Sequence, residues 1–166
     1  RVVAKRKILF VSKDMGSGNV LVTVAKIMKP VHDVIVVAEG LSVSRWRKEG
    51  FSLYFQGMTD YRDEPFTVDA ASLLKRVKPD VVVAGLSRPI NLEEKFTSVA
   101  NILGIPVVWL NDFWGGSIKN HARPDMIFTI DHIDEKIVKE NPRFEKVRVS
   151  ISGNLALNAL ENFSAP

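Results

Sequence analysis

The stretch SKDMGSGNVLV, Ser12–Val22, combines residue types that can hold an anion or a sugar hydroxyl. Gly16 and Gly18 flank a serine, and Asn19 follows directly. Glycine tolerates positive φ and close backbone approach, while the first-turn amides of a helix are unpaired hydrogen-bond donors. We therefore predict a ligand-holding loop over Gly16–Asn19. The alternative is that the glycines only turn the chain and the asparagine only caps a helix.

Two further stretches place polar side chains directly after predicted strands. Ser87 and Arg88 follow the fourth apolar run, and an arginine in that position can bind phosphate or carboxylate through two parallel N–H groups. Asn111 and Asp112 open the sequence NDFWGG, which combines an amide, an acid, two aromatic rings and paired glycines. This mixture is typical of a ligand-facing loop. The alternatives are a surface arginine and aromatic rings that only cover the end of the core.

Several common kinds of site have no signature in the sequence. The three histidines are spread widely and there are no cysteines, so we predict no metal site. The sequence has neither a P-loop lysine motif nor a Gly-x-Ser-x-Gly elbow, which argues against NTPase and hydrolase functions. A dinucleotide fingerprint would need a third glycine where Leu21 stands. Because Glu39 lies where a ribose-binding acid would follow, an NAD-binding Rossmann domain stays open as an alternative.

The apolar segments alternate between two characters, and this alternation predicts the fold class. Short β-branched runs are typical of buried strands, whereas helical spacing indicates faces packed on a sheet. The predicted strands are Lys7–Val11, Val34–Ala38, Phe51–Phe55, Val81–Ala84, Val107–Leu110, Met126–Ile130 and Val147–Ile151. The predicted helix faces are Val20, Val24, Ile27 and Met28, then Leu73, Leu74 and Val77, then Leu92, Phe96, Val99, Ala100 and Leu103. We predict a three-layer, Rossmann-like α/β domain with a doubly wound, mainly parallel sheet of six to seven strands.

Composition is that of an ordinary globular domain. The chain has 166 residues, 46% of them hydrophobic and 25% charged, and we expect one Rossmann-like domain over residues 1–166. The net charge is +4 with bases and acids interleaved, so we predict no nucleic-acid surface. The sequence contains no signal peptide and no apolar run of the roughly 18 residues that a membrane span requires. With no cysteines as well, we expect a cytoplasmic protein.

Three stretches occur in an order that resembles a known superfamily. They are KPDVVVAGLSRPINLEEKFTSVANILGIPVVWL (Lys78–Leu110), RPDMIFTIDHIDEKIVKENP (Arg123–Pro142) and ISGNLALNAL (Ile151–Leu160). Their order is similar to that in the N-terminal domain of the GT-B glycosyltransferase and UDP-N-acetylglucosamine 2-epimerase superfamily. There, a Pro-Asp-strand-Gly segment, an IPVV strand and a terminal Gly-Asn run recur. The resemblance covers nearly all of the chain and implies the N-terminal half of a two-domain protein.

This resemblance implies an acceptor-side domain of a glycosyltransferase-like protein, incomplete for catalysis as given. GT-B relatives place a glycine-rich loop after the first strand against the acceptor, and a C-terminal domain carries most nucleotide-sugar contacts. The implied ligand is a sugar or sugar-phosphate, and no cofactor is expected. A stand-alone small-molecule or protein binding module with a decayed site is an alternative. The predicted substrate-binding residues are Gly16, Ser17, Gly18, Asn19, Ser87, Arg88, Asn111 and Asp112.

The chain departs from the epimerases of this superfamily at two positions. Those enzymes have an acid directly after the glycine that ends the fourth strand, where this chain has Leu86 after Gly85. They also have a glutamate after the IPVV strand, where this chain has Asn111 and then Asp112. Both departures remove expected acid/base groups and argue against epimerase chemistry. The sequence therefore leaves the catalytic residues unidentified.

Overall fold

Seven parallel strands form one sheet in the computed structural model, which describes residues 3–56, 69–88 and 92–157. The strands are β1 (Lys7–Ser12), β2 (Asp33–Ala38), β3 (Phe55–Gln56), β4 (Val81–Ala84), β5 (Val107–Leu110), β6 (Met126–Thr129) and β7 (Arg148–Ile151). Their spatial order is β3-β2-β1-β4-β5-β6-β7. The direction of winding reverses between β1 and β4, which are neighbours in the sheet. The predicted doubly wound parallel sheet is confirmed.

Five α-helices among the described residues cover the two faces of the sheet. They are α1 (Met15–Met28), α2 (Ser42–Lys48), α3 (Ala70–Val77), α4 (Leu92–Leu103) and α5 (His132–Lys139). One core cluster contains side chains of α1 and α2, and the other contains side chains of α3, α4 and α5. Leu9 and Phe10, adjacent in β1, belong to different clusters because successive strand residues point to opposite faces. The fold therefore has three layers.

The helices in the described ranges are too short or too polar to cross a lipid bilayer. Their ends follow ordinary capping chemistry. Asp131 caps α5 by accepting from the backbone N–H groups of Ile133 and Asp134. The sequence Gly104-Ile-Pro106 predicts a helix end, and Gly104, with φ of 71°, directly follows α4. Asn91, which with Glu94 has the spacing of a capping box for α4, lies outside the described residues.

The third strand lies later in the chain than the sequence pattern predicts. Among the described residues only Phe55–Gln56 pairs with β2, whereas the prediction was Phe51–Phe55. The ring of Phe51 packs edge-on against that of Trp46, with ring centroids 5.0 Å apart. The apolar character at the start of this segment therefore reflects contact with α2 rather than membership of the sheet.

Helix α1 is buried on two sides, which a single apolar stripe does not predict. Ile27, expected on the buried face, is 68% exposed, whereas Leu21 and Val22 are fully buried. The helix contacts both the central strands and α2. Because α1 packs on two surfaces, more of its circumference is buried, and the buried face includes residues that the spacing does not predict.

Trp46 ties α2 to the end of the central strand. The side chain is fully buried, its Nε1 donates to Ser12 Oγ at 2.7 Å, and its ring packs against Phe10 and Phe51. A buried indole with a satisfied N–H contributes both apolar area and orientation. This side chain therefore fixes how α2 sits beside the carboxyl end of β1.

We expect Trp46→Ala to lower the free energy of unfolding by about 3–5 kcal/mol, because it leaves a large cavity and an unpaired serine. Urea denaturation followed by circular dichroism measures this loss. The matched control is Trp114→Ala, because Trp114 is 57% exposed and donates to Asp131 at the surface. Equal losses in the two variants would contradict the assigned role.

Candidate functional site

The predicted site residues cluster where three neighbouring strands end. Strand β1 pairs with β4, and β4 pairs with β5, all in parallel, so their carboxyl ends lie side by side. Ligands of doubly wound folds bind at this edge, next to the point where the winding reverses. The segments after β1, β4 and β5 contain all of the predicted residues. Their side chains, however, do not all face the same way.

The segment Gly16–Asn19 is helical rather than a loop, so that part of the prediction is wrong. Helix α1 begins at Met15, and Asp14 is its N-cap, accepting from Ser17 N at 2.8 Å. Neither glycine has positive φ. The helix starts early because the aspartate satisfies a first-turn amide, as capping residues do. The glycines therefore serve close approach, not chain reversal.

Gly16 admits the carboxyl group of Asp112. A Cβ placed on Gly16 would overlap Asp112 Oδ2, so the acid after β5 rests directly on the first turn of α1. Ser17 makes the equivalent contact with Gly85, where an added Cβ would overlap the serine Oγ. The structure thus brings these four residues together, and two glycines permit it.

Gly18 and Asn19 face away from this cluster. A Cβ on Gly18 would lie 3.1 Å from the Cβ of Ser42, at the beginning of α2. Asn19 Oδ1 accepts from Arg45 Nε at 2.7 Å, also on α2. Both residues contribute to packing between α1 and α2 rather than to the clustered site.

Glu93 is the centre of the cluster, and the sequence analysis missed it. Its Oε1 accepts from Lys13 N at 3.0 Å and Ser17 Oγ at 3.3 Å, and it also accepts from Ser87 Oγ. The residue is only 3% exposed. The sequence pattern contains one indication of this role: Glu93 lies one helical turn before Thr97, which places both residues on the same buried face of α4. A charged residue on a buried face indicates a specific partner.

Asp14 joins the segments that follow β1 and β4. Its backbone N–H donates to Ser87 Oγ at 3.1 Å, and its Oδ2 accepts from Arg88 N at 3.2 Å. Both carboxylate oxygens are thereby used, since Oδ1 caps α1. Asp14 therefore holds both Ser87 and Arg88 at the start of α1, the first through its backbone N–H and the second through its carboxylate.

The guanidinium of Arg88 is held from two sides. Nη2 donates to Gly116 O at 3.0 Å, and the guanidinium carbon lies 5.6 Å from the ring centroid of Phe113. Beside it is a pocket of about 210 Å³, lined by Lys13, Asp14, Leu41 and Arg88. This pocket is the cavity at the carboxyl edge into which a ligand could enter.

Asn111 and Asp112 diverge although they are neighbours in sequence. Asn111 Nδ2 donates to Asp134 Oδ2 at 2.9 Å, and Gly115 N donates to Asp134 Oδ1 at 2.9 Å. Asp134 is fully buried at the start of α5 and anchors the loop after β5. Asn111 therefore supports the loop, whereas Asp112 is the residue that faces α1.

Two carboxyl groups of the cluster titrate near neutral pH. Burial and, to a smaller extent, the negative charge of Asp14 together raise the pKa of Asp112 to about 7, against the lowering effect of the positive charge of Arg88. Burial also raises the pKa of Glu93 to about 7, against the lowering effect of its hydrogen bond from Ser87. Asp112 Oδ1 is buried and has no hydrogen-bond partner in the described part of the chain. Groups of this kind are typical of proton-transfer sites.

The described residues contain no cluster of three histidine or acidic side chains suited to a metal ion. Glu39, on which the NAD alternative depends, follows β2 and is 2% exposed. Burial raises the pKa of its carboxyl group, and the charge of Lys13 opposes the rise. Its Oε2 has no hydrogen-bond partner among the residues that the structure covers.

Replacing Glu93 by glutamine should flatten the dependence of stability on pH. The pKa of Glu93 is about 7 in the folded protein and 4.5 in an unperturbed glutamate, so the folded state binds the proton more tightly. Its contribution is fully present below about pH 4.5 and is lost as pH rises to about 7. The wild-type free energy of unfolding should fall across that window by up to roughly 1.4 kcal/mol per pH unit relative to Glu93→Gln. Urea denaturation at a series of pH values measures the difference, and parallel curves would contradict the assignment.

Comparison with known proteins finds relatives by structure only. No family model matches the sequence, and a search of curated proteins gives no significant match. A UDP-N-acetylglucosamine 2-epimerase superposes with a TM-score of 0.71 and 17% identity, over 98% of this chain and 53% of the other. HepE from Anabaena, solved with UDP and glucose, gives 0.56 and 14%, over 89% and 45%. A UDP-glucosyltransferase from Polygonum tinctorium gives 0.56 and 12%, over 98% and 57%.

The chain spans about half the length of these solved structures. At such identities the likeness is one of fold. The chain therefore has the fold of a domain of the GT-B and epimerase superfamily, which confirms the resemblance at that level.

Proposed function

We propose that this chain is the acceptor-side domain of a glycosyltransferase-type protein that acts on a sugar or nucleotide-sugar ligand. The observation that carries the proposal is the carboxyl-edge cluster, where a pocket, a fixed cation and two carboxyl groups of near-neutral pKa adjoin. The structural neighbours support the ligand class, because they include a UDP-N-acetylglucosamine 2-epimerase and a protein solved with UDP and glucose. Fold likeness alone would not assign a function.

Within this proposal Asp112 is the proton acceptor. Glycosyl transfer to a hydroxyl forms a bond from the acceptor oxygen to the anomeric carbon and breaks the bond to the leaving group. The hydroxyl proton must go to a base, and a carboxyl group with pKa near 7 is suited to receive it. Asp112 Oδ1 is buried and has no hydrogen-bond partner in the described part of the chain, whereas Asp14 already accepts hydrogen bonds from two backbone N–H groups. Glu93 acts indirectly, by holding the surrounding segments.

The donor side of such a reaction needs a second domain. The chain covers about half of the solved glycosyltransferase and epimerase structures. We propose that a C-terminal GT-B domain completes the nucleotide-sugar site and that turnover requires it. The carboxyl edge would then face the cleft between the two domains.

The NAD-binding alternative is less compatible with the first turn of α1. A dinucleotide pyrophosphate binds at the helix N-terminus, where unpaired amides face the anion. Here the carboxylate of Asp14 already accepts a hydrogen bond from one of those amides, that of Ser17, and places a negative charge beside it. Such a cap competes with a phosphate group for the same position.

The proposal predicts where ligands perturb the backbone amides of the whole chain. Titration with UDP-N-acetylglucosamine and with N-acetylglucosamine should shift the NMR signals of Asp14, Ser17, Arg88 and Asp112. Lys78, at the opposite edge of the sheet, serves as the internal reference. Unchanged signals at the carboxyl edge at millimolar ligand would refute the proposed site.

Gly16→Ala should weaken ligand binding at least tenfold, because the new methyl group displaces the Asp112 carboxyl group. The control is Asn19→Ala on the same helix, which faces α2 and should bind ligand as the wild type does. NMR titration measures both affinities. Equal affinities for the two variants would remove Asp112 from the site.

A further inference from the structure

Arg88 has a buried N–H group that has no acceptor among the described residues. Nη2 donates to Gly116 O at 3.0 Å, while Nη1 is buried and has no hydrogen-bond partner within the described ranges. Leaving a charged donor buried and unpaired costs more than leaving a neutral one, so such groups are expected to have a partner in the working state. The missing partner is a hydrogen-bond acceptor.

The surroundings of Arg88 hold the guanidinium group in place. The guanidinium packs over Phe113, at 5.6 Å from the ring centroid, and the backbone N–H of Arg88 donates to Asp14 Oδ2 at 3.2 Å. A guanidinium is planar and presents parallel N–H groups, and it loses little freedom on binding when its plane is already held. This geometry matches a planar carboxylate or one face of a phosphate.

The charges around the pocket also favour an oxyanion. Lys13 and Arg88 line it, and Asp14 is the acid among its lining residues. Asp14 accepts from two backbone N–H groups, so its charge is already partly compensated. Asp112 is near enough to Arg88 for the two charges to interact, and it faces α1 through Gly16.

The size of the pocket limits the occupant. Its volume is about 210 Å³, below the roughly 300–1,000 Å³ typical of sites for drug-sized ligands. A volume of this size suits one small group, such as an anionic substituent with part of its sugar ring.

We propose that Arg88 is the receptor for a single phosphate or carboxylate group on the sugar ligand, so that this pocket selects anionic over neutral sugars. The inference rests on the proposed sugar-binding function and names the substrate class of the same site. Arg88 acts here as a binding residue, with Phe113 and Gly116 holding its plane.

The test compares matched ligands on the full chain by NMR titration. Glucose is the neutral reference, glucose 6-phosphate and glucuronate carry the two kinds of anion, and UDP tests whether the anion belongs to the nucleotide instead. We expect glucose 6-phosphate or glucuronate to bind tenfold or more tightly than glucose and to shift the guanidinium signals of Arg88. Tight binding of UDP alone would show that the anion belongs to the nucleotide and not to the sugar.

Variants separate this inference from a general loss of structure. Arg88→Gln should lose the tenfold preference, and Arg88→Lys should retain part of it, since lysine keeps the charge without the planar pair of donors. The matched control is Arg143→Gln, because Arg143 also packs on a phenylalanine ring, at 5.1 Å, and donates to a backbone carbonyl. It does not line the pocket, so its variant should keep the preference.

Two results would overturn the inference. Equal binding of glucose and all three anions by the wild type would leave the sugar site in place but remove anion selection. Equal loss in the Arg88→Gln and Arg143→Gln variants would show a structural effect only. If no ligand shifted any carboxyl-edge signal, the proposed function itself would fail, and the inference with it.

Discussion

One carboxyl group, that of Glu93, joins the segment after β1 to the segment after β4, and these two segments are far apart in sequence. It accepts from the backbone after β1, from the first turn of α1 and from the serine after β4. These contacts bring the helix cap and the arginine that follows Ser87 into one small region. A buried polar network of this kind is stable only when its members are satisfied together. The geometry of the carboxyl edge therefore depends on this side chain more than on any loop sequence.

The same region shows how burial and neighbouring charges set the proton affinity of carboxyl groups. Asp14 places its charge against backbone amides, and that charge disfavours ionisation of Asp112 nearby. Burial acts in the same direction on Asp112 and on Glu93. The three acids of the cluster therefore have different roles. Asp14 caps α1, Glu93 accepts hydrogen bonds from the segments after β1 and β4, and Asp112 has one oxygen without a partner among the described residues. Environment, rather than residue type, divides these roles.

Strand periodicity was sufficient to predict six of the seven strands of the sheet. The β-branched runs at Val81–Ala84 and Val107–Leu110 match β4 and β5. Such runs are reliable signals because the strands of a parallel sheet are buried on both faces and therefore consist mainly of apolar residues. Amphipathic spacing predicted the buried face of α3, whereas for α1, which packs on two sides, it wrongly included Ile27 and missed Leu21 and Val22. The third strand was wrongly predicted to begin at Phe51 for a related reason, since an apolar residue does not show whether it packs within the sheet or against a helix.

The site was predictable in position but not in composition. Parallel strands bring the segments after β1, β4 and β5 to one edge, so Ser87, Arg88 and Asp112 could be placed there from spacing alone. Glu93 could not, because its partners are contributed by distant segments and only the tertiary fold reveals them. Likewise, nothing in the sequence shows that Asn19 turns toward α2. Side-chain direction is the information that a linear pattern lacks.

The contact between Gly16 and Asp112 also constrains how this domain could have diverged. Because the helix backbone and the acid share one space, a side chain at position 16 must displace the carboxyl group at position 112 from its contact with α1. A lineage that enlarged position 16 would therefore have moved the acid or replaced it by a shorter residue. The two positions should therefore vary together among descendants of a common ancestor, with the small residue and the acid inherited as a pair.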